Sequence, residues 1–184
     1  MIKVGFLGDS IRIGYAPIAK ELLGEGYECF WPDVNGCFAK HTLRQLIDCE
    51  EAMKGIQIVH WNNGLWDVTK GFSDGLFTFE DEYINIMKRI ASILLERHDK
   101  VIFATTTPVN PSLGQVSNTD IDRYNEIIVP ELEKMGVIIN DLHSVIADDI
   151  DKYIGPDLLH PTPVGSFKLA QQAAKMVEQV AKQL

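Results

Sequence analysis

The chain has 184 residues, 46% of them hydrophobic and 23% charged, a composition typical of globular proteins and not of disordered ones. With 17 Lys and Arg against 26 Asp and Glu the formal net charge is -9 and no basic stripe is visible, which argues against nucleic acid or an anionic membrane surface as a partner. The three cysteines, Cys29, Cys37 and Cys49, are odd in number and lack paired spacing, which argues against a disulfide framework or a zinc site.

Lys3 to Leu7 is an apolar run that predicts a first strand leading directly from the N-terminus. No charged head, long apolar core and small-residue cleavage site precede it, so the expected location is the cytoplasm, although a removed signal peptide would leave no trace. No apolar run approaches the roughly 20 residues that a membrane span needs, so no membrane insertion is expected. Ile18 to Leu23 lies in a helix that ends near Gly24 and Gly26, and Tyr27 to Trp31 is a second strand with Pro32, Asn35 and Gly36 as its turn. Thr42 is placed as the cap of a helix carrying Leu43, Leu46 and Ile47. Ile56 to Trp61 is an apolar run with the look of a buried strand, followed by a Gly- and Asp-rich loop from Asn62 to about Gly75.

From Phe79 to Glu96, the apolar positions Tyr83, Ile84, Met87, Ile90 and Leu94 repeat at helical spacing. Val101 to Thr105 is the next strand, ended by Pro108 and Pro111. Asp120 to Met135 is helical with Pro130 as a kink or break, Val137 to Asn140 is the last strand, and Val164 to Leu184 closes the chain with Leu169, Ala173 and Val177 on one helix face. Strands alternating with helices predict an α/β fold: a three-layer α/β/α sandwich around a five-stranded, mainly parallel, flavodoxin-like sheet. With no linker, repeat or low-complexity tract, residues 1–184 read as a single domain.

In such sheets functional groups gather beyond the carboxyl ends of the strands. Gly8-Asp9-Ser10 stands there after the first strand, and Asp157-Leu158-Leu159-His160 stands near the far end of the chain. A serine hydroxyl becomes a nucleophile only when a base removes its proton, and a carboxylate can orient that base and stabilise its imidazolium. Ser10, His160 and Asp157 supply these three side-chain types. As a helix cap and a loop histidine they would each mean little; as a pair of blocks in this order they resemble the GDSL or SGNH hydrolase family.

The resemblance implies the SGNH hydrolase fold and a serine ester hydrolase with Ser10 as nucleophile, His160 as base and Asp157 as its partner. It also implies an oxyanion hole made from the N–H of Ser10, the N–H of Gly36 in Asp33-Val34-Asn35-Gly36, and an asparagine side chain of a third block. That block departs from the family's Gly-x-Asn-Asp pattern. It reads His60-Trp61-Asn62-Asn63-Gly64-Leu65-Trp66-Asp67, so Asn62 is favoured with Asn63 as the alternative. Asp9, Trp66 and His60 lie where they could contact substrate, although packing is the more ordinary role for a strand-end histidine such as His60.

His41, His98 and His143 show no metal spacing, and the implied chemistry calls for no metal or organic cofactor. The short chain leaves little for a lid, which favours small acyl groups, such as acetyl on a carbohydrate or another polar alcohol, as substrate. The alternatives are a lipase or thioesterase for longer acyl chains, and an inactive binding protein on the same fold. Oligomeric state is not legible in the sequence.

Overall fold

The computed structural model describes residues 1–71 and 73–184. Five strands, β1 (Ile2–Leu7), β2 (Tyr27–Phe30), β3 (Ile58–Asn62), β4 (Lys100–Ala104) and β5 (Ile138–Asn140), form one parallel sheet in the order β2-β1-β3-β4-β5. Among the described residues seven α-helices connect and flank them: α1 (Ser10–Leu23), α2 (Ala39–Asp48), α3 (Glu80–Arg97), α4 (Asn118–Lys134), α5 (Leu142–Ala147), α6 (Ile150–Tyr153) and α7 (Pro163–Ala181). Helices α1 and α7 pack on each other and α7 lies against β3 and β5; α2, α3 and α4 pack in succession, with α3 against β4 and α4 against β5. The expected three-layer arrangement is therefore present, and every strand pair is parallel.

Sheet topology positions the site. From β1 the chain moves outward to β2, then returns across β1 to β3 on its other side. The carboxyl ends of β1 and β3 thus flank a point where the direction of winding reverses, and connecting segments leave a crevice there. Parallel strands covered by helices on both faces bury both sets of side chains, which is why β3 reads as a continuous buried run. Its alternation still matters, because residues two apart share a face. His60 and Asn62 share one, with Tyr15 of α1 bonded to both, while Trp61 packs on Phe103 on the other.

Three local expectations change. Thr42 does not cap α2, which begins at Ala39; its hydroxyl, buried inside the helix, donates to the Gly36 carbonyl at 3.2 Å. The cap comes instead from Asp67, whose two carboxylate oxygens accept the Ala39 N–H at 3.2 and 3.1 Å from 28 residues away. Pro130 does not break α4, which runs through it. Both Pro130 and Glu126, whose carbonyl loses its helical donor, are exposed, so water can satisfy the freed group. Finally, α5 and α6 lie between the last strand and the closing helix, where the sequence pattern showed no helix.

Candidate active site

The loop that leads into α1 is built by two residues before Ser10. Gly8 turns the chain at φ 140°, a conformation that a side chain rarely tolerates, and a Cβ there would run into the Asn62 side chain and carbonyl. Asp9 is the N-cap of α1, its Oδ1 accepting the Ile11 N–H at 3.0 Å. Ser10 is therefore the first helical residue and not the cap. Its N–H is one of the donors a helix start leaves without an internal partner, and the positive end of the helix dipole lies beside it.

The second segment reaches Ser10 from the other end of the chain. His160 Nε2 stands 2.9 Å from Ser10 Oγ, and His160 Nδ1 stands 2.7 Å from Asp157 Oδ2. Asp157 also uses Oδ1 to accept the backbone N–H groups of Leu159 and His160 at 3.1 and 2.9 Å, so one carboxylate shapes the turn and orients the ring. Hydrogen bonding, first from the His160 side chain and then from those backbone groups, holds the Asp157 carboxyl down at about 2. The turn carries strain at Leu158, whose φ is 68°, and is tied to its surroundings by Gly155 N–H to His160 O at 2.7 Å and Asn110 N–H to Leu158 O at 2.9 Å. Thr162 then caps α7 through Gly165 N–H at 3.1 Å.

The expected oxyanion donors fare differently. The Gly36 N–H is already committed to the Gly8 carbonyl at 2.9 Å, which corrects its assignment as a free donor. Three bonds impose that geometry. Cys37 N–H closes a turn on Asn35 Oδ1 at 2.8 Å, while Arg12 Nη2 and Gln45 Nε2 hold the Val34 carbonyl at 3.2 and 2.9 Å. Gly36 is needed because its backbone lies against Gly8, where a Cβ would collide with the Gly8 carbonyl.

Asn62 and Asn63 are separated by their partners. Asn63 ties loops together: its Oδ1 accepts Trp61 Nε1–H at 2.6 Å, its Nδ2 donates to Cys37 O at 3.1 Å, and its carbonyl accepts from Tyr83 and Thr106. Asn62 lies beside the Gly8–Ser10 loop instead, donating from Nδ2 to Asp9 Oδ1 at 2.8 Å and accepting the Tyr15 hydroxyl at 3.2 Å. Its second amide hydrogen has no acceptor among the described residues.

Two residues expected against substrate are buried instead. His60 is fully enclosed between Tyr15 and Asn140, and burial pushes its imidazole down to about 3, so it is neutral. Asp9 is 1% exposed, and its side chain serves α1 and Asn62. Trp66 is different: 43% exposed, it walls a cleft of about 480 Å³ that also contains Ser10 and His160. Leu65, Leu113, Val116 and Leu159 continue its apolar wall, and Asn35, Thr69 and Gln115 add polar groups.

Burial raises the Asp9 carboxyl to about 6, partly offset by its bonds from Asn62 and Ile11. A raised folded-state value means that the native protein holds this proton more tightly than the unfolded chain does. The group's stability contribution is then greatest at low pH and is lost as pH rises toward 6. Asp9→Asn keeps an oxygen for both bonds and removes the buried charge. It should therefore be more stable than wild type at pH 8 by on the order of 3 kcal/mol, and by about half of that at pH 5. Urea unfolding at the two pH values checks this; an equal gap at both would contradict it.

Several residues of the site were missed. Arg12 and Tyr15 occupy one helical turn after Ser10, where the sequence showed only an ordinary helix, and Asn35 was read only as a turn residue. Asp67 sat at the end of the third block with no sign of its partner in α2.

No protein-family model and no curated protein matches the sequence. Solved structures do resemble it in shape. An acetyl xylan esterase, AlAXEase, superimposes with a TM-score of 0.81 at 22% identity, over 96% of this chain and 100% of that one. A lipase/acylhydrolase from Enterococcus faecalis gives 0.80 at 17% identity, over 97% and 96%. Axe2, an acetylxylan esterase from Geobacillus stearothermophilus, gives 0.75 at 18% identity, over 95% and 93%. The chain has the fold of these proteins across nearly its whole length.

Proposed function

We propose that the protein is a serine ester hydrolase of the SGNH/GDSL kind. The observation that supports this most strongly is the continuous relay from Asp157 Oδ2 to His160 Nδ1 at 2.7 Å and from His160 Nε2 to Ser10 Oγ at 2.9 Å. His160, with Nδ1–H held by Asp157, takes the Ser10 proton on Nε2 as Oγ attacks the ester carbonyl. The tetrahedral oxyanion is held by the Ser10 N–H at the start of α1 and by the unshared amide hydrogen of Asn62. His160 then gives its proton to the departing alcohol, the acyl group stays on Ser10, and a water deprotonated by the same histidine releases the acid. Residues 1–184 act in this reading as one catalytic domain that uses no cofactor.

The preferred substrate is a small acyl ester, acetyl above all, of a carbohydrate or other polar alcohol. Trp66 offers an exposed ring face at the cleft, with Asn35, Thr69 and Gln115 as hydrogen-bonding groups around it. Two of the similar folds belong to proteins described as acetyl xylan esterases, which favours the same class here. The apolar wall of Leu65, Leu113, Val116 and Leu159 favours a second reading, a lipase or thioesterase for longer chains.

Rates on nitrophenyl acetate, butyrate and octanoate, with release of acetate from an acetylated xylo-oligosaccharide, decide between the two. The first reading predicts the highest kcat/KM on acetate and measurable acetate release from the sugar. A rate that rises with chain length would favour the second. No turnover of any of these esters would favour a binding protein on the same fold.

A further inference from the structure

Behind Asn62 runs a chain of buried polar groups with no part in the relay. Asn62 Oδ1 is 3.2 Å from the Tyr15 hydroxyl, which is 3.1 Å from His60 Nδ1. His60 Nε2 is 2.9 Å from Asn140 Nδ2, and Asn140 Oδ1 is 3.0 Å from Gln172 Nε2 of α7. Tyr15, His60, Asn62 and Asn140 are each 5% exposed or less, so the bonded polar atoms of these four depend on one another and not on water, while Gln172 at the far end is half-buried.

The direction of each bond follows from one end. Asp9 Oδ1 already accepts the Ile11 N–H, so it accepts from Asn62 as well, and the Asn62 atom facing it must be Nδ2. Asn62 Oδ1 then faces Tyr15, whose hydroxyl must donate to it. The Tyr15 oxygen is left to accept from His60, which places the imidazole proton on Nδ1 and leaves Nε2 bare. Bare Nε2 accepts from Asn140 Nδ2, and Asn140 Oδ1 accepts from Gln172. All the bonds run one way, from Gln172 to Asp9, and no donor faces a donor. A turned-over Asn62 would set oxygen against the Asp9 oxygen and N–H against the Tyr15 hydroxyl.

We infer that Tyr15 and His60 are positioning residues that fix the orientation of the Asn62 carboxamide, so that its N–H₂ end and not its oxygen faces the nucleophile loop. Neither touches the reacting atoms. The inference rests on Asn62 being an oxyanion donor, as proposed above. It gives His60 a purpose that burial alone does not: a neutral ring with one bare nitrogen can accept at one end and donate at the other, which no apolar residue of its size can do.

The test combines a spectrum with a mutant cycle at pH 8. In wild-type protein, long-range ¹H–¹⁵N correlation of the imidazoles should show His60 as the Nδ1–H tautomer, and the Nε2–H tautomer would overturn the inference without any variant being made. Asn62→Ala should lower kcat on nitrophenyl acetate by about 10² to 10³. Tyr15→Phe should lower kcat by about tenfold with KM little changed, and by less than about twofold when added to Asn62→Ala. A tenfold loss in both backgrounds would mean that Tyr15 acts through general packing, which overturns the inference and leaves the donor role of Asn62 standing. Full activity of Asn62→Ala would sink the donor role itself, and the inference with it. The tautomer is read on wild-type protein, so poor folding of Tyr15→Phe would not remove the test.

Discussion

Ser10→Ala should lower kcat on nitrophenyl acetate by about four to six orders of magnitude while moving the melting temperature by no more than about 2 °C. The two halves of that expectation come from different bonds. Ser10 Oγ bonds His160, whereas the helix cap, which stability requires, belongs to Asp9. Loss of the hydroxyl therefore removes the proposed attacking atom and leaves α1 as well capped as before. His160→Ala should cost nearly as much, and the double variant little more than either, because the relay works as a unit. Initial rates and thermal melts of the three variants check this. A Ser10→Ala enzyme with more than about a tenth of wild-type kcat would remove the serine mechanism.

Gly8→Ala should be the most damaging single-methyl change near the site. At φ 140° an alanine is strained, and its Cβ would overlap the side chain and carbonyl of Asn62, neither of which can withdraw from β3. Backbone strain and overpacking each cost about 1–3 kcal/mol, so a loss of about 3–5 kcal/mol and a fall of roughly 10 °C in melting temperature are expected. Gly24→Ala is the control. It too is strained for a side chain, at φ 71° and ψ -162°, but a Cβ there meets nothing within 4 Å, so its cost should be that of backbone strain alone, about 1–3 kcal/mol. Folded Gly8→Ala should also lose activity, since the displaced group is the amide beside Ser10. Equal melting temperatures for the two variants would contradict the close packing of Gly8 against β3.

How much of this was legible in the sequence depended on the range of each interaction. The strands and the long helices announce themselves by local apolar patterning, and the Gly-Asp-Ser and Asp-x-x-His blocks sit where strand ends and helix starts place them. Partners far apart in sequence were not legible. Thr42 looked like a cap because nothing near Ala39 shows that Asp67 fills that role. Gly36 looked like a free donor because nothing in an Asn-Gly turn shows that its N–H meets Gly8. Asp9 and His60 lay at strand ends where substrate contact was plausible, but Asp9 is turned inward onto Ile11 and Asn62, and His60 is enclosed between Tyr15 and Asn140. Helix α6 spans one turn, too short for a periodic signal.

Covalent trapping tests the central claim, an acyl-transfer site at Ser10, most directly. A fluorophosphonate reacts with a serine only when a base activates the hydroxyl and donors hold the phosphoryl oxygen, the same conditions that ester attack needs. Intact-mass and peptide analysis of the treated protein should show one adduct, on Ser10, in wild type and in Asp9→Asn, and none in His160→Ala. An unmodified wild-type protein, or an adduct on another residue, would contradict the claim.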